Sequence, residues 1–217
     1  EILRKQKKRF IQISTDEVYG TLEKDDPAFT EGTPYAPNSP YAASKASADL
    51  FLNILYQAYD FPVVTIRATN VYGAHQQLWK LMPRTAIYLR KGKKISLDGG
   101  GVAVKSYIHV RDVSRGEVSA MYYGKPGMIY HLSPDHGYSV ADVVRTICDA
   151  MGYDFASSTV VAEERLGQDA AYVIDSTRAR EEFGWLPEVS LGYGIETLID
   201  WVESDWDEIL RHPMVYE

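Results

Sequence analysis

The sequence predicts an α/β fold, a parallel sheet covered by helices and joined to a smaller mixed α/β region. Three observations predict it. Residues 7–67 read strand, helix, strand, an alternation that favours parallel pairing with helical crossovers. The composition, 45% hydrophobic and 24% charged, is that of a globular chain rather than a disordered one. The 217 residues amount to about one and a half ordinary domains, so a second region beside the sheet is expected.

The elements follow in order. Arg9, Phe10, Ile11, Gln12 and Ile13 make a short, largely apolar run within Lys7–Ser14, a buried strand. A loop rich in turn formers follows, from Gly20 through Pro27, Gly32, Pro34 and Pro37 to Pro40. Tyr41–Tyr59 is helical: Leu50, Phe51, Ile54 and Leu55 recur at helical spacing, as core or dimer-interface residues, and Ala42, Ala43, Ala46 and Ala48 allow close packing. Phe61–Arg67 is a β-branched strand. A helix near Leu81–Lys91, a strand near Val104–Val110 and helices near Asp112–Tyr123 and Ser139–Met151 come next. A short strand at Thr159–Ala162 and helices around Ser176–Phe183 and Leu191–Val202 complete the chain. No internal repeat is present.

Composition also excludes several classes. With 23 basic against 30 acidic residues and a net charge of -7, a nucleic-acid or anionic-membrane surface is not expected. No apolar run approaches the roughly 18–20 residues that span a bilayer. Cys148 is the single cysteine, which leaves no disulfide framework and accords with a reducing cytoplasm. His75, His109, His131, His136 and His212 lack ligand spacing, so no metal site is expected. Cys148 and the tryptophans of the final helix read as packing. The chain begins at Glu1 without an initiator Met, as a piece of a longer protein does.

Two motifs carry chemistry. Ser14-Thr15-Asp16-Glu17-Val18-Tyr19-Gly20 stands where a buried strand gives way to a loop, the strand end at which open α/β sheets bind ligands. Adjacent Asp16 and Glu17 there supply an acid and a base if their environments separate their pKa values; otherwise they are two solvated acids opening a polar loop. In Tyr41-Ala42-Ala43-Ser44-Lys45 the phenol and ammonium share a helix face, and a nearby cation lowers a tyrosine pKa toward that of a general base. The spacing alone is common; its weight comes from the order of acidic strand end, proline-rich loop and Tyr-Lys helix.

With these residues the chain resembles the extended short-chain dehydrogenase/reductase family, the NAD-dependent epimerases and dehydratases, and within it most closely the dTDP-glucose 4,6-dehydratases. Further segments carry the resemblance: Arg67-Ala68-Thr69-Asn70-Val71-Tyr72-Gly73, Lys80-Leu81-Met82-Pro83, Arg165-Leu166-Gly167-Gln168-Asp169 and Phe183-Gly184-Trp185-Leu186-Pro187. It implies the second half of a Rossmann-type NAD-binding domain with the catalytic residues over 1–73. It implies a mainly nucleotide-sugar-binding region over 74–217, interleaved with returning sheet elements. It also implies NAD as cofactor, contacted by Tyr41 and Lys45, and catalysis by Thr15, Asp16, Glu17, Tyr41 and Lys45. The nucleotide-sugar contacts implied are Thr15, Asn70, Lys80, Leu81, Lys105 and Arg165, in a cytoplasmic homodimer. The implied reaction is oxidation at carbon 4, elimination of water across carbons 5 and 6, and reduction to a 4-keto-6-deoxy sugar.

The chain departs from the family at Asp98, Lys105, His131 and Leu166, all expected on the nucleotide side. Lys105 keeps a charge but loses the bidentate fork of an Arg. No G-x-x-G-x-x-G occurs, and Gly99-Gly100-Gly101 lacks the spacing. The resemblance places that fingerprint upstream of Glu1, so the N-terminal part is expected to be missing. A related epimerase or decarboxylase, which would use Tyr41 and Lys45 but not the Asp-Glu pair, stays open, as does a non-catalytic remnant.

Overall fold

The computed structural model describes residues 2–22, 26–163 and 171–214. In chain order the elements are α1 (Ile2–Lys5), β1 (Phe10–Thr15), a 3₁₀ turn (Asp16–Tyr19), α2 (Pro40–Tyr59), β2 (Val63–Ala68), β3 (Asn70–Tyr72), α3 (Leu81–Arg90), β4 (Ile95–Asp98), β5 (Val104–Lys105) and β6 (Tyr107–His109). They continue with α4 (Val110–Tyr123), β7 (Ile129–Leu132), β8 (Tyr138–Ser139), α5 (Val140–Ala150), α6 (Phe155–Ser158), β9 (Thr159–Ala162), β10 (Ala171–Tyr172), α7 (Thr177–Phe183), α8 (Leu191–Ser204) and α9 (Trp206–Ile209). These fall into two compact units, one of residues 1–71, 106–137 and 169–188, the other of 72–105, 138–168 and 189–217.

The first unit is built on a parallel sheet in the order β1-β2-β7. Its residues alternate between two faces, as strand geometry requires. Val64, Ile66, Tyr130 and Leu132 point toward α4 and α7, where Val113, Ala120, Ala179 and Trp185 close an apolar core. The opposite face is polar: Ser14 pairs with Arg67 across the sheet and Arg67 with His131, a row of three at the carboxyl ends of the strands. Helix α2 lies over this row. Ser39 caps it by accepting from the Ala42 amide at 3.1 Å, and Pro40 opens the first turn, where a missing N–H costs nothing.

The second unit packs α3, α5 and α8 together. Met82, Ala86, Ile87 and Leu89 meet Val143, Val144, Ile147 and Cys148 and Ile195, Leu198 and Val202, all buried. Cys148 is thus a core side chain. Gly194 has no room for a side chain: a Cβ there would stand 2.2 Å from the Tyr72 hydroxyl. β4 pairs in parallel with β9, Ile95 opposite Thr159.

Several features differ from the sequence expectation, three of them near the site or its helix. The strand expected near Val104–Val110 breaks at Ser106 into β5 and β6, because β5 turns to pair with β8. β7 was not expected, since its polar His131 interrupts a run of only four residues. Leu50, Phe51 and Ile54 of α2 are 49%, 64% and 57% exposed, so they do not belong to the core of this chain.

Candidate active site

The site grows from the end of β1. Thr15 leaves the strand in extended conformation and caps the following turn, its hydroxyl accepting from the Glu17 amide at 3.3 Å. The turn ends at Gly20, where φ is 82° and a Cβ would lie 2.4 Å from the Ala36 carbonyl oxygen, a backbone atom that cannot move aside as a side chain can. Only glycine fits, and the chain is thereby brought back beneath α2.

Within this turn Asp16 is 5% exposed. Its Oδ1 accepts from the Thr15 hydroxyl at 3.2 Å, while Oδ2 is buried with no hydrogen-bond partner among the described residues. Burial pushes its pKa from 3.8 to about 7, against the lowering bond from Thr15 and with a further push from the Glu17 charge. The shift is in the direction that an acid would need, and desolvation contributes more to it than the neighbouring carboxylate. Glu17 is partly exposed beside it.

Helix α2 brings Tyr41 and Lys45 to the same place. Tyr41 is 51% exposed and interacts with Thr15, Asp16 and Glu17. The expected lowering of its pKa by Lys45 is not found. Burial raises it and the Glu17 charge adds to that, Thr15 pulls it down, and Asp16 raises it again. The physical reason is direction: the Lys45 ammonium donates to the Ile13 carbonyl at 2.9 Å and stands 6.0 Å from the Tyr41 ring centroid, while the acidic pair faces the phenol.

Asn70 donates its side-chain amide to the Ser106 carbonyl at 3.2 Å, and its backbone N–H uses the same acceptor. In the second unit Lys80 is the exposed residue preceding α3, Leu81 begins that helix and Lys105 is half-buried on β5. Arg165 lies outside the described residues. His131, expected on the nucleotide side, is fully buried in β7. Its Nδ1 lies 2.9 Å from the Asp175 carbonyl and its Nε2 2.6 Å from the Tyr19 hydroxyl. Burial holds its pKa down to about 3, so the ring is neutral and donates through Nδ1 while Nε2 accepts from Tyr19.

Two residues the motifs passed over stand behind this group. Arg67 and Asp49 form an ion pair at 2.9 Å, 1% and 3% exposed. The signals were available: a lone Arg in an otherwise apolar strand, and an Asp one turn beyond Lys45 on the Tyr41 face. Among the described residues no group of three or more His, Cys, Asp or Glu could hold a metal, and no helix is long and apolar enough to cross a membrane.

The chain is similar to known proteins over most of its length. A dTDP-glucose 4,6-dehydratase of Streptomyces griseus is 38% identical over 204 residues, 93% of this chain and 61% of the relative. One of Escherichia coli (strain K12) is 32% identical over 211 residues, 91% of this chain and 58% of its own. Among solved structures, dTDP-glucose 4,6-dehydratase from Bacillus anthracis in complex with NAD superposes with a TM-score of 0.90 at 33% identity, over 95% of this chain and 65% of that one. UDP-glucose 4-epimerase from Thermotoga maritima with UDP-glucose gives 0.87 at 26% identity, over 94% and 66%. The chain spans about 61% of the length of the first of these relatives. The fold is the α/β, Rossmann-like one of these neighbours. A family model described as GDP-mannose 4,6 dehydratase matches residues 1–198, and the chain belongs to that family.

Proposed function

We propose that the protein carrying this chain is an NAD-dependent nucleotide-sugar 4,6-dehydratase. The observation that carries this reading is Asp16. A carboxyl that keeps its proton to about pH 7, beside a second carboxylate, supplies the acid that expulsion of a hydroxyl needs and that an epimerase does not.

The residues present fit the ribose end of NAD. Tyr41 offers a half-exposed hydroxyl, and the Lys45 ammonium reaches the carboxyl end of β1, where cofactors lie in sheets of this kind. Bound there, NAD would supply a returnable hydride acceptor. Tyr41 takes the proton of the carbon-4 hydroxyl, and Thr15 stabilises the phenolate and holds the hexose. Glu17 takes the carbon-5 proton, made acidic by the neighbouring carbonyl. Asp16 gives its proton to the departing carbon-6 hydroxyl, and water leaves. A protonated Asp16 also spares Tyr41 one of the charges that oppose its ionisation. The nucleotide-sugar contacts are assigned to Asn70, Lys80, Leu81, Lys105 and Arg165.

The test is turnover in deuterium oxide with NAD and dTDP-, UDP- or GDP-linked hexose. The expected product has lost one water and carries solvent deuterium at carbon 5. An epimerised product with neither change would sink the dehydratase reading.

The exposed Leu50, Phe51 and Ile54 support a homodimer across α2. Replacing Phe51 with Glu is expected to convert a dimer to a monomer in sedimentation equilibrium; unchanged mass would place the interface elsewhere. A cytoplasmic location is proposed with the NAD chemistry.

A further inference from the structure

The buried row beneath α2 has a geometry that stability alone does not call for. The Asp49 carboxylate accepts from the Ser14 hydroxyl at 2.7 Å, from Arg67 Nη2 at 2.9 Å and Nε at 3.3 Å, and from the Gln12 amide at 3.4 Å. One turn earlier on the same helix, Lys45 donates to the Ile13 carbonyl. Residues 12, 13 and 14 of β1 are thus each held by α2. On its other side the Arg67 guanidinium donates to the Tyr19 hydroxyl at 2.5 Å and the Tyr35 hydroxyl at 2.6 Å, and lies over both rings at 4.7 and 4.8 Å. Tyr19 in turn donates to His131, and His131 to the Asp175 carbonyl.

Ser14 immediately precedes the Thr15-Asp16-Glu17 segment, and Tyr19 ends its turn. Both ends of the acid–base turn are therefore tied to one guanidinium, at Ser14 through Asp49 and at Tyr19 directly. The same carboxylate ties the helix that carries Tyr41 and Lys45. A buried ion pair is seldom more stabilising than an apolar pair of equal volume, but its fixed bonding directions specify register.

We propose that Arg67 and Asp49 are positioning residues, a single buried pair that sets the Asp16–Glu17 turn and the Tyr41–Lys45 helix in one register. Its consequence for catalysis rests on the dehydratase proposal; the positioning itself is measurable without substrate.

The experiment follows the Asp16 carboxyl carbon by NMR against pH in the full chain, with Glu17, Thr15 and Tyr41 as its facing groups. The parent midpoint is expected near 7. The double variant Ser14→Ala, Tyr19→Phe keeps the Arg67–Asp49 pair but cuts both tethers. It is expected to retain its far-ultraviolet circular dichroism while the Asp16 midpoint falls by at least about one pH unit, a tenfold change in ionised fraction, as water enters the loosened turn. Ser14→Ala alone, which removes one hydroxyl, is expected to give a smaller fall and serves if the double variant does not fold. A folded variant with an unchanged Asp16 midpoint would reduce the pair to scaffolding, and a parent midpoint near 4 would show that the turn is not held closed at all. Either result overturns the positioning role; the first leaves the dehydratase reading standing, whereas the second also removes the buried acid behind it, and the deuterium experiment tells the two apart. Conversely, an epimerised product would remove the dehydratase reading and leave this titration standing.

Discussion

Glu17→Gln is expected to abolish deuterium incorporation at carbon 5 and to lower turnover by roughly 10²–10⁴-fold, the usual worth of a positioned general base. The substitution keeps the side chain's shape and the backbone bond from residue 17 to the Thr15 hydroxyl, so the turn is preserved. It removes a proton acceptor and a negative charge. That charge raises both Asp16 and Tyr41, so its loss lets both titrate lower. Removal of the carbon-4 hydroxyl proton by Tyr41 is then made easier, not harder, and the defect falls on the carbon-5 proton. Turnover and deuterium content, read together by mass spectrometry, separate the two steps. Activity retained with full exchange at carbon 5 would take the base role from Glu17 and give it to another group.

Local features were legible from the sequence where they depend on near neighbours. The alanine-rich first turns announce α2, and the β-branched run Val63–Ile66 announces β2. The acidic pair at a strand end was legible as well. What escaped depends on partners distant in the chain. His131 looks out of place in a strand until Tyr19 and the Asp175 carbonyl are seen to satisfy it. Tyr41 illustrates the same limit. Helical spacing pairs it with Lys45 and predicts a lowered pKa, but burial and the carboxylates of residues 16 and 17 decide the direction. Arg67 and Asp49 were each readable, one as an odd charge in a strand and the other as a helix residue. Their pairing needed the register of β1, α2 and β2.

Asp16→Asn is expected to cost roughly 10²–10⁴-fold in turnover while making the protein more stable at neutral and alkaline pH. The native carboxyl keeps its proton to about pH 7, whereas the unfolded chain gives it up near 3.8. As pH climbs through that window the unfolded state binds fewer protons than the native one, so stability falls with rising pH. Stability from this group is complete below pH 3.8 and lost as pH passes 7. The difference between the two values corresponds to at most about 4 kcal/mol above pH 7. Asn cannot ionise, keeps an oxygen to accept from Thr15, and leaves one buried polar atom unpaired, as the protonated acid does. Denaturant unfolding at pH 5 and at pH 8 checks this: the advantage of the variant over the parent should grow by about 2–3 kcal/mol from the first to the second. A constant difference across that range would mean that Asp16 titrates like an exposed carboxylate. The buried acid on which the elimination chemistry rests would then be absent. A destabilising charge retained at the end of β1 makes sense only if its proton is used.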